Sequence, residues 1–383
     1  MTEVSEGVAD KSYDVYDFQI SSIIEKANRL NAQHVGLQFP EGFLEYATHI
    51  SRQISEGADC DVTIMADAVF GACCVDDLAC RSQGIDLLVH FGHSCLIPVD
   101  QTVVQTMYIG VTMKFDYDHL IETIKFNFPP DTRIALQGTI QFSNSFPIVH
   151  SALTDLGYIV QIPRSRPLSA GETLGCTSPE ITGADILVFV ADGRFHIEAA
   201  MMANPDLPAF RYDPFTRRIF SEFMSVNELK SIREKEMNKC LTAKRVGLIL
   251  GTLGRQGSVG VLESLQDLLR ERNIDSFVVL ISEISPTKLA QFGSSVDCWV
   301  QVACPRLSLD WGESYGVPML SSFEAFKVWT CEENEVTLES IPMDYYANSA
   351  GPWGNYAQTE NSWKFWHMGP GKNSITPLPL NPK

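Results

Sequence analysis

Nowhere in the 383 residues do apolar side chains run unbroken for the ~18–20 positions that a membrane-spanning helix needs. The opening stretch, MTEVSEGVADKSYD, has neither the basic cluster nor the apolar core of a secretory leader, so a cytoplasmic location is expected. Positive charge is scarce: 29 Lys and Arg stand against 47 Asp and Glu, a net charge of −18. That balance argues against direct nucleic-acid binding and against anionic membranes. Solubility explains it first; an acidic face for a basic protein partner is the sharper reading. No two cysteines are spaced Cys-x2-Cys, and no Cys-x3-Cys-x2-Cys run occurs, which removes zinc knuckles, ferredoxin patterns and the standard motif of radical enzymes. The ten cysteines of a cytoplasmic chain this long are not a disulfide framework. The chain exceeds one ordinary core and suits two or three domains.

What is present is a repeat. Three segments open alike, His34-Val-Gly-Leu-Gln38, Arg133-Ile-Ala-Leu-Gln137 and Arg245-Val-Gly-Leu-Ile249. Three later segments also match, Asp86-Leu-Leu-Val89, Asp185-Ile-Leu-Val188 and Asp297-Cys-Trp-Val300. In each pairing 52 positions separate the two motifs. Each unit reads as β-α-β-α-β-β. The opening strands are short apolar runs fit for burial on both faces. The helices that follow carry one apolar stripe: Phe43, Ala47, Ile50 and Ile54; Val149, Leu153 and Leu156; Val261, Leu265 and Leu268. Second strands are expected at 62–65, 158–161 and 277–281, each followed by a short helical piece. The predicted fold class is α/β, three homologous domains with parallel sheets flanked by helices, packed around a pseudo-threefold axis. Boundaries fall at 15–112, 113–230 and 231–350, with 351–383 as a C-terminal tail whose Pro-rich end, NSITPLPLNPK, reads as flexible.

Ligands of such sheets bind beyond the carboxyl ends of the strands. Three cysteines fall there, each beside Gly, Ala or Pro. Cys73 follows the second strand of unit one, Cys176 the second strand of unit two, and Cys304 the Asp-initiated strand of unit three. If the units pack about one axis, these loops converge, and three thiolates suit either zinc or an iron–sulfur cluster. Cys95 is the reserve ligand. Cys74, Cys80 and Cys298 read as buried hydrophobes, and Cys60, Cys240 and Cys331 as helix-end or loop thiols.

The stretches FGACCVDD (70–77), VHFGHSCLIPVD (89–100), LQGTIQF (136–142), LGCTSPE (174–180), GRQGS (254–258), VQVACPRLSLDWG (300–312) and GPW (351–353) carry a family resemblance. From about residue 15 to 355 the chain resembles the diphthamide-synthesis enzymes, the 2-(3-amino-3-carboxypropyl)histidine synthases, in their eukaryotic subunit 1 form. The resemblance implies a [4Fe–4S] cluster held by Cys73, Cys176 and Cys304, with Cys74 a neighbour. It implies an atypical radical use of S-adenosyl-L-methionine, in which the 3-amino-3-carboxypropyl group passes to a histidine of translation elongation factor 2. It also implies a heterodimer with a paralogous subunit 2, served by a small iron-bearing electron donor with a reductase.

Loops after the first strands are candidates for S-adenosylmethionine contacts: Gln38, Glu41, Gln137, Thr139, Gly254 and Arg255, the last beside a glycine-rich turn able to hold an anion. His90 and His93 could act as a base or be structural. Asp76 and Asp77 could orient the Cys73 loop or cap a helix. Arg306 could tune the charge beside Cys304. Two rival readings stay open. Quinolinate synthase shares the design of three domains and three cysteines, although FGACCVDD and VQVACPRLSLDWG favour the diphthamide family. A non-enzymatic scaffold or electron-transfer subunit is the other, and retention of all three cysteines argues against it.

Overall fold

The computed structural model describes residues 16–67 and 69–356. The first unit contains β1 (Tyr16–Asp17), α1 (Ile20–Leu30), β2 (His34–Gln38), α2 (Leu44–Ala58), β3 (Asp61–Met65), α3 (Asp77–Ser82), β4 (Leu87–Phe91), β5 (Gln105–Ile109) and β6 (Thr112–Met113). The second contains α4 (Tyr117–Asn127), β7 (Arg133–Gly138), α5 (Ile140–Ser143), α6 (Phe146–Asp155), β8 (Ile159–Gln161), β9 (Ile186–Val190), α7 (Phe195–Ala203), β10 (Ala209–Asp213) and β11 (Arg218–Glu222). The third contains α8 (Val226–Cys240), β12 (Arg245–Gly251), α9 (Val259–Glu271), β13 (Asp275–Ile281), α10 (Pro286–Ala290), β14 (Cys298–Val302), α11 (Arg306–Trp311), β15 (Met319–Ser321) and α12 (Ser322–Thr330).

Each unit builds its own sheet with one strand order. The orders are β3-β2-β4-β5, β8-β7-β9-β10-β11 and β13-β12-β14-β15, parallel throughout except for the antiparallel β10–β11 edge. The central strands β4, β9 and β14 are buried along their whole length, as strands covered on both faces must be. Helices cover them with the expected stripes. Tyr46, Ala47, Ile50 and Ile54 of α2 are buried, as are Val261, Leu265 and Leu268 of α9. Leu156 departs from expectation. It caps α6 and is exposed, and Phe146 takes the inner place one turn before Val149.

The 52-residue spacing has a direct physical meaning. The Asp86 carboxylate accepts the Gln33 and His34 amides at 2.8 and 3.0 Å, and the Asp86 amide donates to the His34 carbonyl at 2.9 Å. Asp185 does the same with Arg133, and Asp297 with Lys244 and Arg245. The conserved register is thus a reciprocal clasp that fixes the start of the first strand against the third.

Unit two breaks the pattern in one place. Between β8 and β9 there is no helix but an irregular run with Pro163, Pro167, Gly171, Gly175 and Pro179. Proline and glycine spaced this closely deny a helix its amide donors and its backbone restraint. The freed segment lies beside β7, where the Gly138 amide donates to Gly171 at 2.9 Å and the Thr173 amide to Gly138 at 3.1 Å. The largest core joins units: Ala72, Val75 and Leu96 of unit one pack with Leu248, Val300 and Phe326 of unit three. Tyr345, Tyr346 and Trp353, from the chain beyond the third sheet, are buried in the same core. Residues 351–356 therefore pack against the body, while NSITPLPLNPK lies outside the described residues.

Candidate metal centre and adjoining cavity

The three sheets end in three cysteine loops, and a glutamine holds two of them. In the central strand pairs, Gln38 faces His90, Gln137 faces Phe189, and Ile249 faces Gln301. Gln38 Nε2 donates to the Cys74 carbonyl at 3.0 Å, and its Oε1 accepts the Asp76 amide at 3.2 Å and lies 2.9 Å from His90 Nδ1. Gln301 Nε2 donates to the Cys304 carbonyl and to the Ser308 hydroxyl, both at 3.0 Å. Unit two differs. The Cys176 carbonyl accepts the Tyr345 amide at 3.4 Å, and the neighbouring Thr177 hydroxyl accepts the Tyr346 amide at 3.1 Å.

The three thiols share one neighbourhood. Cys176 is pushed up to about 12 by burial and then by Cys304. Cys304 is raised by burial, against the pull of the Arg306 backbone and guanidinium. Cys73 is raised by its hydrogen bond to Cys74 and by burial, with Cys176 and Cys304 adding to the effect. Cys74 moves the other way, to about 7, because Cys73 donates to it and because Phe70, Gly71 and the Gln256 amide support its thiolate. The buried Tyr346 phenol faces the same set, and its acidity is suppressed by burial and by Cys73, Cys176 and Cys304. Among the described residues no three His, Cys, Asp or Glu side chains stand tightly enough to grip a single metal ion. A multinuclear cluster takes each thiolate on a different iron and so needs wider spacing than one ion does. Three thiolates are a donor set suited to an iron–sulfur cluster.

Cys95 stands apart from this set. It is exposed, and its thiol points at the Ile97 carbonyl at 3.7 Å. Cys60, Cys80, Cys240 and Cys298 are buried in cores. Counting from each unit's aspartate, the place of Cys304 is taken in unit one by His93 and in unit two by Asp192.

Charged pairs bind the loops across units. Arg255 of unit three donates through Nε and Nη2 to the fully buried Asp77 of unit one at 2.8 and 2.6 Å, and its amide donates to the Cys73 carbonyl at 2.7 Å. Burial alone would raise the Asp77 carboxyl, but Arg255 and the Val103 amide outweigh it and hold it low. Gly254, at φ +54°, lets this loop lie directly on the Cys74 backbone, where any Cβ would collide. Arg306, six per cent exposed, reaches Asp310, Glu198 and the Phe195 carbonyl, tying the Cys304 loop to α7.

Of the residues suggested for S-adenosylmethionine contacts, Gln38, Gly254 and Arg255 thus support the Cys73–Cys74 loop, and Glu41 is exposed. Asp76 caps α3, its carboxylate accepting the Ala79 amide. Gln137 and Thr139 are different. Both are buried, and neither the Gln137 amide nor the Thr139 hydroxyl has a hydrogen-bond partner. Thr139 lines a cavity of about 190 Å³ between units one and two, with His93, Ser94, Glu172, Thr173, Asp192 and His196. Burial lowers both His93 and His196 to about 4, so both are neutral at physiological pH. Nothing in the spacing had singled out Glu172, Thr173 or His196. For Glu172 and Thr173 the signal was their place just before LGCTSPE, and His196 carried none.

The chain matches the diphthamide synthesis protein family over residues 39–341. It is 46% identical over 348 residues to 2-(3-amino-3-carboxypropyl)histidine synthase subunit 1 of Schizosaccharomyces pombe, covering 88% of this chain and 79% of that protein. It is 43% identical to the subunit of the same name from Gallus gallus, covering 88% and 82% of the two chains. Dph2 from Pyrococcus horikoshii has the same fold, with a TM-score of 0.70 at 22% identity over 86% of this chain and 98% of that one; one of its crystal structures contains a 4Fe–4S cluster.

Proposed function

The chain belongs to the diphthamide synthesis protein family, and from that premise we propose that it is a 2-(3-amino-3-carboxypropyl)histidine synthase subunit. It is a transferase acting in the first step of diphthamide biosynthesis. The acceptor is a histidine of translation elongation factor 2 and the donor is S-adenosyl-L-methionine. Cys73, Cys176 and Cys304 hold a [4Fe–4S] cluster with one iron left for the donor. When bound, such a cluster would supply one electron for breaking the bond from sulfonium sulfur to methionine γ-carbon; methylthioadenosine would leave, and the imidazole C2 that takes the aminocarboxypropyl fragment would give up its hydrogen as a proton and an electron.

The observation that supports this reading is that three half-buried thiols, one from each unit, lie near enough to raise one another's pKa. The chain's own residues then have definite tasks. Gln38, Gln301 and Arg255 fix the cysteine loops by their carbonyls, which sets the thiols before any metal arrives. Tyr346 and the core behind it exclude water from one side of the centre. Arg306 brings positive charge near Cys176 and Cys304 and favours their thiolates. The subunit numbering in the relatives' names supports a heterodimer with a paralogous subunit 2. A small iron-bearing donor with its reductase supplies electrons. The site is cytoplasmic, and no described helix is long and apolar enough to cross a membrane.

Anaerobically prepared protein is expected to be brown, with broad absorption near about 400 nm. Cys73→Ala, Cys176→Ala and Cys304→Ala should each lose most of the bound iron, and Cys240→Ala should keep it. With reductant and S-adenosylmethionine the wild-type protein should release methylthioadenosine. Equal iron in all four variants would end the ligand assignment, and donor left intact would end the transferase reading.

A further inference from the structure

The cavity between units one and two holds an unusual concentration of unanswered hydrogen-bonding groups. Thr139 Oγ1, Glu172 Oε1 and Thr173 Oγ1 are buried without partners, as are His93 Nδ1 and Ser94 Oγ. Glu172 and Thr173 are fully buried, and Thr139 is six per cent exposed. Buried polar atoms are normally satisfied, and each one left open carries a free-energy penalty that a ligand removes. The other Glu172 oxygen is already used, accepting the Ser169 amide at 3.0 Å. The three acceptors are held together by the pairing of Gly138 with Glu172, which sets Thr139 beside Glu172 and Thr173.

The charge of the lining is one-sided. It includes two carboxylates, Glu172 and Asp192, and no lysine or arginine. His93 and His196 are neutral and add no positive charge. Such a lining repels a carboxylate and welcomes a cation. Three acceptors, one of them a carboxyl that burial raises while Ser94 and Ser169 hold it down, match the three donors of a primary ammonium. The volume, about 190 Å³, suits an amino-acid end and is too small for a whole nucleoside. Leu174, which forms part of the wall, lies two residues before Cys176 in the chain.

We propose that this cavity binds the α-ammonium of the sulfonium donor, with Glu172, Thr139 and Thr173 taking its three N–H groups. The inference rests on S-adenosylmethionine being the donor, as proposed above. It makes these three side chains the determinants that orient the aminocarboxypropyl end, leaving the α-carboxylate to be met outside the cavity.

The test is equilibrium binding to the iron-loaded full chain under anaerobic conditions. Two compounds are compared: S-adenosylmethionine and the analogue with hydrogen in place of its α-amino group. Wild-type protein should prefer the amine by roughly 10- to 100-fold, the range for hydrogen bonds to a charged group. Glu172→Gln keeps an acceptor for the Ser169 amide and should reduce that preference to a few-fold, while leaving the affinity for the desamino analogue unchanged. Thr139→Val, in a different segment between β7 and α5, should lower the preference independently. A preference undiminished in both variants, or absent from the wild type, overturns the cavity assignment alone. Wild-type protein that binds neither compound overturns the donor reading, and this inference with it.

Discussion

Gln38 and Gln137 occupy the same place in two units, yet they do different things. Gln38 is saturated by the Cys73–Cys74 loop and His90, whereas Gln137 is buried with both ends of its amide open. The matching Leu-Gln ends of the two strands were legible in the sequence; their partners were not, because partners come from loops that spacing cannot orient. The same holds for Arg255. Its glycine-rich setting suggested an anion, and the anion it meets is the Asp77 carboxylate of another unit. Residue-scale burial also sets a pH response. His93 and His196 titrate near 4 in the folded chain, far below the ordinary value of 6.5. The unfolded chain therefore takes up more protons between these values, and stability falls as pH drops from about 6.5 toward 4. Thermal unfolding followed across that window should show Tm declining by several degrees. Replacing both histidines by glutamine should flatten that part of the curve, and an unchanged slope would show that other groups carry it.

At the scale of strands and helices the sequence was most informative. Buried parallel strands announce themselves as short apolar runs, and the repeated spacing located six of them. The helix expected before β9 failed for a local reason, the prolines and glycines of residues 162–185, and that run carries both Cys176 and the cavity wall. The aspartate clasps are the element-scale device that makes the repeat visible. Asp297 accepts the Lys244 and Arg245 amides at 2.7 and 2.8 Å, and these two hydrogen bonds hold its carboxyl below the ordinary value. Asp297→Ala removes both bonds at an exposed strand start, where water replaces part of the loss. A destabilisation of about 1 kcal/mol is expected, comparable with losing a helix cap. Tm should fall by about 1–2 °C. Asp86→Ala should behave alike, and a Tm unchanged in both variants would reduce the clasp to a by-product of strand pairing.

Across the whole molecule, convergence is what the sequence could only suggest. Cys73, Cys176 and Cys304 lie far apart along the chain, and their meeting depends on how three sheets are docked. That docking is carried by the shared core and by the Arg255–Asp77 pair. Arg255→Met should therefore act on both stability and the centre. It strands a fully buried carboxylate, a loss of about 2 kcal/mol once the partial exposure of Arg255 is allowed for. Calorimetry should register the lower Tm, and iron content should drop although no cysteine has changed. Asp77→Asn with Arg255→Met should recover part of the stability, since the uncompensated charge is gone. Full iron in the single variant would mean that the Cys73 loop holds its shape without this bridge.

The backbone of Tyr345 and Tyr346 closes on the Cys176 loop from beyond the third sheet. A growing polypeptide that has already exposed Cys73, Cys176 and Cys304 still lacks this strap. Iron delivered during synthesis would meet an unfinished cradle, open to solvent on the side the two tyrosines later cover. On the ligand assignment proposed above, the inorganic centre is expected to mature late, after the closing segment has left the ribosome and found its seat.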